Sequence, residues 1–431
     1  MYWNKDIECI ETGELKRLQL HRLNEMLAAA TNTVFYRTVL KESGFTRTNV
    51  DTPDALKDIP FTTKDDLRRS YPDGMVAVNR DSIVRLHASS GTTGKSTVIF
   101  YTQDDIDSWT DLVARGLFSA GVRCCDVFQN MMGYGLFTGG LGLHYGAEKI
   151  GCLVIPSATG NTRKQIELME DFGSTVIHIT PSYALHLKEA VEAEGLDPKE
   201  LPVKKAVLGA EPYTEGTRDK IESQYGIDVY NGYGLSEMNG PGVAFECSEK
   251  QGMHLWEDFY LAEIIDPESG TLLPEGEYGE LVLTHLMRKA MPMLRYRTRD
   301  LTRIISEPCA CGRTHRKIER IRGRTDDMMI ISGVNVFPSQ IEGVLMGIPE
   351  VGNNYQIVIN RESNLDRLHV RVELYSKMFH GNLNELERLK TDIAERIKSV
   401  IVVTPRVELL EPGSLPQSTG KAKRVLDNRT L

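Results

Sequence analysis

A stretch of ten residues combines the side-chain types with which proteins surround an anion. It reads Ala88-Ser89-Ser90-Gly91-Thr92-Thr93-Gly94-Lys95-Ser96-Thr97 and holds six hydroxyl side chains, two glycines and one lysine. The glycines allow positive φ angles, so that consecutive backbone N–H groups can form a concave nest around a phosphate. The hydroxyls add donors and Lys95 adds a point charge. Because strand-like runs precede and follow the stretch, we predict a loop between two strands that binds a polyphosphate.

The same stretch does not fit the phosphate loop of P-loop kinases and other NTPases. That motif needs a glycine, four further residues and then Gly-Lys-Ser or Gly-Lys-Thr, and it opens a helix. Here Ser89 stands at the first position, and a strand-like run follows the lysine. A P-loop NTPase is therefore disfavoured, whereas a solvated Ser/Thr/Gly turn without a ligand stays open as the alternative.

Two further segments could complete a nucleotide site, and each follows a predicted strand. They are Gly209-Ala210-Glu211-Pro212 and Asn231-Gly232-Tyr233-Gly234-Leu235-Ser236-Glu237. In the second segment, predicted to be a loop, Tyr233 offers a ring to a base, Ser236 a donor to a phosphate and Glu237 a carboxylate to Mg²⁺. Farther along, Asp300 could accept the hydroxyls of a ribose or pair with Arg297 or Arg299, and the sequence favours the ion pair.

Composition excludes several classes of protein. The 431 residues are too many for one compact core, so two or three domains are expected. A net charge of −9 gives no electrostatic reason to bind nucleic acid or an anionic membrane. The N-terminus lacks the pattern of a signal peptide, no apolar run is long enough to span a membrane, and seven cysteines in so long a chain are no disulfide framework. We expect a cytoplasmic protein.

The secondary-structure pattern changes along the chain. Residues 11–42 have a helical period, and Thr62 or Thr63 could cap a short helix after them. Between 120 and 240, predicted strands at 126–132, 151–156, 174–180, 205–208 and 228–230 alternate with helices around 139–148, 161–171, 181–194 and 214–225. This alternation is typical of a parallel sheet, whose ligands bind at the carboxyl ends of its strands.

A different pattern follows. Alternating strands at 260–266 and 279–285 indicate an antiparallel β region. A boundary is expected near 320–335. Beyond it, strands at 355–360, 368–375 and 406–410 and a helix across 381–399 form a unit of plausible domain size. The fold class predicted is α/β and multidomain, with parallel sheets and an antiparallel β subdomain in a large N-terminal domain and a small α+β C-terminal domain.

Together these segments resemble the acyl-adenylate-forming superfamily, and specifically the phenylacetate–coenzyme A ligase family. The resemblance covers nearly the whole chain, from the Trp3-Asn4 opening and the 61–67 run to the terminal Thr419-Gly420-Lys421. It includes, in order, residues 88–97, 134–148, 209–212, 231–237, 296–301 and 323–327. It implies that a carboxylate attacks the α-phosphorus of ATP to give acyl-AMP and diphosphate, and that the thiolate of coenzyme A then displaces AMP.

The resemblance also implies roles for individual residues. Residues 89–95 would hold the β- and γ-phosphates, Glu211 and Tyr233 would border the adenine, Ser236 would contact the α-phosphate and Glu237 would hold Mg²⁺. Asp300 would bind the ribose, and Arg324 would reach the ribose or a phosphate. Lys421 would lie between the substrate carboxylate and the α-phosphate, where negative charge builds up. Asp326 would be the hinge between domains 1–325 and 326–431, and Gly333 would line the channel for coenzyme A.

The resemblance also implies an acyl pocket, and the sequence departs from the family pattern at one position. Tyr134, Phe137 and Gly139 lie in the stretch that would line the pocket, where aromatic side chains suit an aryl ring. Aromatic residues are equally common in ordinary cores, and that alternative stays open. Ser96 stands where related loops usually carry proline.

A metal site is predicted from Cys247, His254, Cys309 and Cys311. Three thiols and an imidazole form a standard closed set for structural zinc, which leaves no position for a catalytic water. His315 competes with His254 as the fourth ligand, and buried free cysteines are the alternative to a metal site.

Three other functions are alternatives to an aryl-acid ligase. A P-loop NTPase fits the loop spacing poorly, and a non-catalytic zinc scaffold would need neither the phosphate loop nor the terminal lysine. An adenylyltransferase of the same superfamily that acts on a deazaflavin cofactor would need no coenzyme A. The sequence does not name the acid, since related aryl acids differ by only a few contacts in the pocket. The resemblance implies a homodimer.

Overall fold

The computed structural model describes residues 1–45, 47, 49–89, 96–331, 334–362, 365–378, 383–416 and 424–429. Within these ranges the α-helices are α1 (Lys5–Glu8), α2 (Thr12–Ala30), α3 (Val34–Glu42), α4 (Lys64–Arg69), α5 (Gln103–Ser119), α6 (Thr138–Ile150), α7 (Thr162–Phe172), α8 (Pro181–Ala193), α9 (Glu215–Tyr225), α10 (Pro338–Met346) and α11 (Leu383–Ile401). The helix predicted over 11–42 is therefore two helices. The break comes at Thr33, whose side chain caps α3 by accepting from the N–H of Tyr36.

The strands follow the predicted order. They are β1 (Arg85–Ala88), β2 (Val98–Tyr101), β3 (Val127–Asn130), β4 (Leu153–Ile155), β5 (Val176–Ile179), β6 (Lys205–Leu208), β7 (Asp228–Leu235), β8 (Gly240–Glu246), β9 (Met253–Leu255), β10 (Tyr260–Ile265), β11 (Gly279–His285), β12 (Tyr296–Thr302), β13 (Ile304–Ile305), β14 (Lys317–Ile318), β15 (Gly323–Arg324), β16 (Met329–Ile331), β17 (Val334–Val336), β18 (Val351–Glu362), β19 (Leu365–Leu374), β20 (Arg406–Leu410) and β21 (Val425–Asp427). The α/β alternation predicted between 120 and 240 is confirmed.

The largest sheet of the described residues has the order β13-β14-β9-β8-β7-β6-β5-β3-β4. Strands β4, β3, β5, β6 and β7 run parallel, and the pairings from β7 to β8 onward are antiparallel. The pairing changes from parallel to antiparallel within β7: residues 228–231 pair with β6 and residues 232–235 pair with β8. A second sheet, β10-β11-β12-β15, is antiparallel and forms the predicted β region.

The segment 231–237 was predicted to be a loop, and this prediction is wrong for its first five residues. They continue β7, with Asn231 paired to β6 and residues 232–235 paired to β8, and only Ser236–Met238 forms a turn, of the 3₁₀ type. The glycines serve strand pairing here: a Cβ on Gly234 would lie 2.0 Å from the carbonyl oxygen of Gly240. Glycine in a strand can mark a close approach of another backbone as well as a turn.

The C-terminal part has its own sheet, of order β20-β19-β18-β21, with α10 and α11 packed on it. Its apolar cluster contains buried residues from Met329 to Val407, and residues before 329 belong to other clusters. None of the helices within the described ranges is both long and apolar enough to cross a membrane.

Candidate active site

The two ends of the predicted phosphate loop lie side by side. Strands β1 and β2 form an antiparallel pair, as expected for a strand–loop–strand motif. Beyond their last pair, the N–H of Ser89 donates to the carbonyl of Thr97 at 3.1 Å, and the two hydroxyl oxygens are 2.5 Å apart. Ser90, Gly91, Thr92, Thr93, Gly94 and Lys95 lie outside the described residues, so their predicted role stays a prediction.

Glu237 lies directly beside the base of this loop. Its side chain is buried, and its Oε1 is 3.5 Å from the hydroxyl oxygen of Thr97 and 3.6 Å from Nζ of Lys64. The neighbouring Ser236 hydroxyl is 3.1 Å from that of Thr138, the first residue of α6. The turn that carries both predicted ligand groups is therefore placed between the phosphate loop and the start of α6.

Asp300 forms an ion pair, but not with the predicted partners. Its two carboxylate oxygens accept from the Tyr233 hydroxyl at 2.6 Å and from Nη1 of Arg324 at 2.9 Å. Arg297 and Arg299 instead pair with Glu280, at 2.6 and 3.6 Å. Side chains alternate between the faces of a strand, so Arg297 and Arg299 leave the face that Asp300 occupies. The pairing predicted with them is wrong.

Burial is the main influence on the pKa of Asp300. Desolvation raises the pKa of Asp300 to about 6, although the Arg324 guanidinium and the Tyr233 hydrogen bond act in the opposite direction. Burial also raises the pKa of Tyr233 well above its usual value. The tyrosine hydroxyl therefore stays a donor at neutral pH, while the aspartate titrates near the lower end of the physiological range.

The segment 209–212 lies against the same edge of the sheet. Ala210 has a φ of +68°, and a Cβ on Gly209 would lie 3.0 Å from the carbonyl oxygen of Gly232. The Glu211 carboxylate accepts from the N–H and the hydroxyl of Ser182, at 3.2 and 2.9 Å, in the first turn of α8. The Asn231 N–H donates to Glu246 at 2.7 Å. The two predicted adenine-side segments are thus adjacent, and Pro212 follows directly on Glu211.

The predicted acyl stretch passes close to strand β1. The N–H of Ala88 and Nδ1 of His87 both contact the carbonyl oxygen of Leu136, at 2.9 and 3.0 Å. The Phe137 ring packs on Gly139, where an added Cβ would lie 2.3 Å from a ring carbon. The Tyr134 hydroxyl is 2.9 Å from Nδ2 of Asn130 and 3.2 Å from Nδ1 of His144, and burial raises its pKa to about 12. Phosphate loop and acyl stretch are therefore neighbours.

Of the three site residues predicted in the C-terminal region, the structure describes only the hinge residue, Asp326. Asp326 forms a bidentate ion pair with Arg324: its two carboxylate oxygens accept from Nε and Nη2 at 2.9 and 3.0 Å. Gly333 and Lys421 lie outside the described residues. The Arg424 carbonyl, three residues after Lys421, accepts from the N–H of Ile357 in β18.

The four predicted metal ligands come together. One ligand atom from each of Cys247, His254, Cys309 and Cys311 lies within 4.8 Å of the others. The Sγ atoms of Cys247 and Cys309 are 3.6 Å apart, and Nε2 of His254 is 3.3 Å from Sγ of Cys311. Zinc–sulfur bonds of about 2.3 Å in a tetrahedron place two thiolates about 3.7 Å apart, so the set has the dimensions of a zinc site.

His315 does not join this set. Its ring nitrogens contact backbone groups instead, with Nδ1 2.9 Å from the N–H of Glu257 and Nε2 2.9 Å from the carbonyl of Ile7. Nδ1 of His254, the ring nitrogen that faces away from Cys311, is 3.1 Å from the carbonyl oxygen of His315. His254 is therefore the fourth member of the set, with its ring oriented by His315.

Sequence reasoning missed three side chains around Glu237. Lys64 belongs to the predicted short helix, which Thr63 caps through a capping box with Asp66. Its Nζ nevertheless reaches the buried carboxylate of Glu237. Tyr296 lies at the site, since Glu237 is among the groups that raise its pKa, after the larger effect of burial. Arg288 donates to the Glu237 backbone carbonyl. Lys64 and Tyr296 lie in segments that carry the resemblance, but neither their types nor those of Arg288 and its neighbours indicate a contact with a residue so distant in the chain.

Known protein families and a related enzyme match the chain over most of its length. The family described as AMP-binding enzyme matches residues 16–288, and the AMP-binding enzyme C-terminal domain matches residues 333–429. A phenylacetate-coenzyme A ligase of Thermus thermophilus is 47% identical over 444 residues, covering 100% of both chains. The chain belongs to the phenylacetate–coenzyme A ligase family. The predicted fold class and the predicted activity class, an AMP-forming ligase of an acid and a thiol, are confirmed.

Two solved structures of one related ligase differ in how well they match. The structure of 2-hydroxyisobutyryl-CoA ligase in the postadenylation state, in complex with R3-HIB-AMP, has a TM-score of 0.94 at 30% identity and covers 99% of this chain and 92% of that chain. The same ligase in the thioesterification state, with 2-HIB-AMP and CoA, covers the same shares at 31% identity with a TM-score of 0.73.

The raised pKa of Asp300 predicts a pH-dependent nucleoside affinity. If Asp300 binds the ribose as predicted, its carboxylate accepts both hydroxyls above about pH 6, where it is ionised, and protonation below that value weakens it as an acceptor. Binding of adenosine, which has no phosphate to titrate, should therefore weaken about tenfold between pH 7 and pH 5. Titration calorimetry measures this. Asp300→Asn should bind more weakly at pH 7.5 and show a flat profile; a flat profile in the unsubstituted protein would contradict the assignment.

Proposed function

We propose that the protein activates an arylacetic acid, phenylacetate being the first candidate, with ATP and transfers the acyl group to coenzyme A. The observation that carries this proposal is the position of the Ser236–Met238 turn. It lies between the base of the phosphate loop and the start of α6, where the predicted acyl stretch enters that helix. The carboxylate of the acid and the α-phosphate of ATP can meet there.

The nucleotide is held by groups from several strands. Tyr233 and Glu211 border the adenine, together with backbone from Gly209, Ala210, Pro212, Asn231, Gly232 and Gly234. Asp300 accepts the ribose hydroxyls while Arg324 keeps it ionised at neutral pH, and Ser236 donates to the α-phosphate. Residues 89–95 hold the β- and γ-phosphates, with Lys64 as a further cation beside them.

The residues around Glu237 fit a magnesium ion. A buried carboxylate with the Thr97 hydroxyl nearby offers the hard oxygen ligands that Mg²⁺ prefers. When bound, Mg²⁺ neutralises charge on the phosphates of ATP. Lys421 stabilises the charge that develops between the substrate carboxylate and the α-phosphate, so that diphosphate leaves and acyl-AMP forms. The acyl ring packs against Tyr134, Phe137 and Gly139, and in the second step Gly333 lines the path of the coenzyme A thiol.

We further propose two domains, 1–325 and 326–431, that turn about Asp326 between the half-reactions. The separate apolar cluster of the C-terminal part and the different TM-scores to two states of one ligase support this division. In the present arrangement Nζ of Lys220 in α9 donates to the carbonyls of Val351 and Gly352 at 2.9 and 3.0 Å, and Thr217 donates to Glu342 at 2.8 Å. These contacts would hold the arrangement for adenylation.

We propose that the Cys₃His set binds structural zinc. Cys311 and its neighbours also hold the N-terminal segment: the Tyr2 hydroxyl donates to the Cys311 carbonyl at 2.9 Å, and the buried Arg313 pairs with Glu8 at 2.6 Å. Zinc would thereby fix residues 1–10 against the antiparallel end of the large sheet. A homodimer stays a prediction from the family.

The first test is diphosphate release from ATP and Mg²⁺ across a panel of arylacetic, benzoic and fatty acids, with and without coenzyme A. We expect release with arylacetates and a thioester only when coenzyme A is present. Lys421→Ala should lower acyl-AMP formation by about a hundredfold or more, since it removes a group that acts in the transition state. Thioester formation from supplied acyl-AMP should persist in this variant. No release with any aryl acid, from folded protein that binds ATP, would refute the proposal.

A second test concerns the metal. Elemental analysis should find one zinc per chain, and Cys311→Ser should lose it and unfold at a lower temperature, because metal binding contributes to the free energy of folding. Cys9→Ser is the matched control: its thiol donates to the Gly312 carbonyl at 3.3 Å but is outside the ligand set. Retention of zinc by Cys311→Ser would contradict the assignment.

A third test separates the half-reactions. Lys220→Met leaves two buried carbonyls without their donor in the present arrangement, which should slow acyl-AMP formation by up to about tenfold. The rate of thioester formation from supplied acyl-AMP should stay within about twofold, because that half-reaction would use a different domain arrangement, without these contacts. Lys164→Met, on the exposed face of α7, is the control. An equal loss in both half-reactions would refute a role in domain arrangement.

A further inference from the structure

Arg288 differs from every other buried arginine among the described residues. Arg115, Arg218, Arg295 and Arg313 are each at most 5% exposed, and each pairs with a carboxylate: Asp258, Glu246, Glu263 and Glu8, at 2.5–2.8 Å. Arg288 is 0% exposed, and within the described part of the chain neither its Nε nor its Nη2 has a hydrogen-bond partner. A buried charge without a counter-charge is costly, so its retention calls for a reason.

The one hydrogen bond that Arg288 makes within the described part of the chain is to the candidate active site. Its Nη1 donates to the main-chain carbonyl oxygen of Glu237 at 2.5 Å, and its guanidinium lies 5.2 Å from the centre of the Tyr101 ring. Glu237 is the central residue of the Ser236–Met238 turn. Arg288 therefore contacts the backbone of the residue whose side chain faces the phosphate loop.

The segment that carries Arg288 is itself anchored. The carboxylate of Asp105, in the first turn of α5, accepts from the N–H groups of Lys289 and Ala290 at 2.7 and 3.0 Å. On the other side, Nε2 of His285 is 3.0 Å from Nδ2 of Asn239, which follows the turn with a φ of +69°. The turn is thus held from two points of one fixed segment, residues 285–290.

We propose that Arg288 is a positioning residue for the metal-binding carboxylate and that the nucleotide supplies its missing counter-charge. The hydrogen bond to the Glu237 carbonyl fixes the turn before ligands arrive. The uncompensated positive charge then favours the anionic complex of ATP with a divalent cation, because buried charges interact strongly at short range. The inference rests on the proposed metal role of Glu237, and it assigns Arg288 to the first half-reaction only.

The test measures metal binding directly. Mn²⁺ replaces Mg²⁺, and its affinity is determined by electron paramagnetic resonance in the presence of a non-hydrolysable ATP analogue. Arg288→Met should weaken Mn²⁺ binding about tenfold or more, the effect of losing a charge-assisted hydrogen bond. The Mg²⁺ concentration needed for half-maximal acyl-AMP formation should rise in parallel. Thioester formation from supplied acyl-AMP should be preserved. Arg288→Lys, which keeps the charge, should recover part of the affinity.

Controls separate this inference from a general structural role. Arg37→Met, an exposed change on α3, should match the unsubstituted protein. Glu237→Gln should abolish the tight Mn²⁺ site; if it does not, the proposed function of Glu237 fails independently of Arg288. Arg288→Met with unchanged Mn²⁺ affinity would overturn the inference. So would equal losses in both half-reactions with a lowered melting temperature and no recovery by Arg288→Lys, since that pattern reports impaired folding alone.

Discussion

The pairing of strand β7 with two differently oriented neighbours determines the geometry of the site. Its first half runs parallel to β6, and its second half runs antiparallel to β8. Polar groups at the carboxyl edge of a parallel sheet would ordinarily sit on loops, which are mobile. Here the strand continues past that edge, so Tyr233 is part of the ladder. The close approach of Gly234 to the Gly240 backbone makes this continuation possible, and it brings Tyr233 to Asp300 of a second sheet.

Charge in the site is arranged in two ways. Asp300 is buried but has both a cation and a hydroxyl, so its pKa rises only to about 6. Arg288 is buried without a carboxylate partner among the described residues. The two partners of Asp300 offset part of the cost of burying its charge, so that the carboxylate is still ionised at neutral pH. An unsatisfied group of the second kind stores electrostatic free energy that an incoming anion can recover.

Much of this arrangement could be predicted from the sequence, and the misses share a cause. Periodicity and the order of motifs gave the alternation of β3–β7 with α6–α9, and the Cys and His types gave the metal set. Pattern reasoning failed where the answer depends on a neighbour distant in the chain. Gly232 and Gly234 indicated a turn, but β8 makes them strand residues. Arg297 and Arg299 seemed to be partners of Asp300, but the alternation of side chains turns them to Glu280. The roles of Lys64 and Arg288 follow only from their contacts with Glu237, which is distant from both in the chain.

The division of the site between elements has a consequence for how such a protein can change. The side proposed to hold the adenine and ribose is built from β7, β12 and the glycine contacts of the sheet, where an added methyl group already clashes with backbone. The stretch proposed to face the acid spans the start of α6 and meets that side through the Thr138 and Ser236 hydroxyls. Substitutions around Tyr134 and Phe137 can therefore accumulate without disturbing β7 and β12, the strands proposed to hold the nucleotide. Divergence in the acid accepted is structurally inexpensive, whereas divergence in the nucleotide is not.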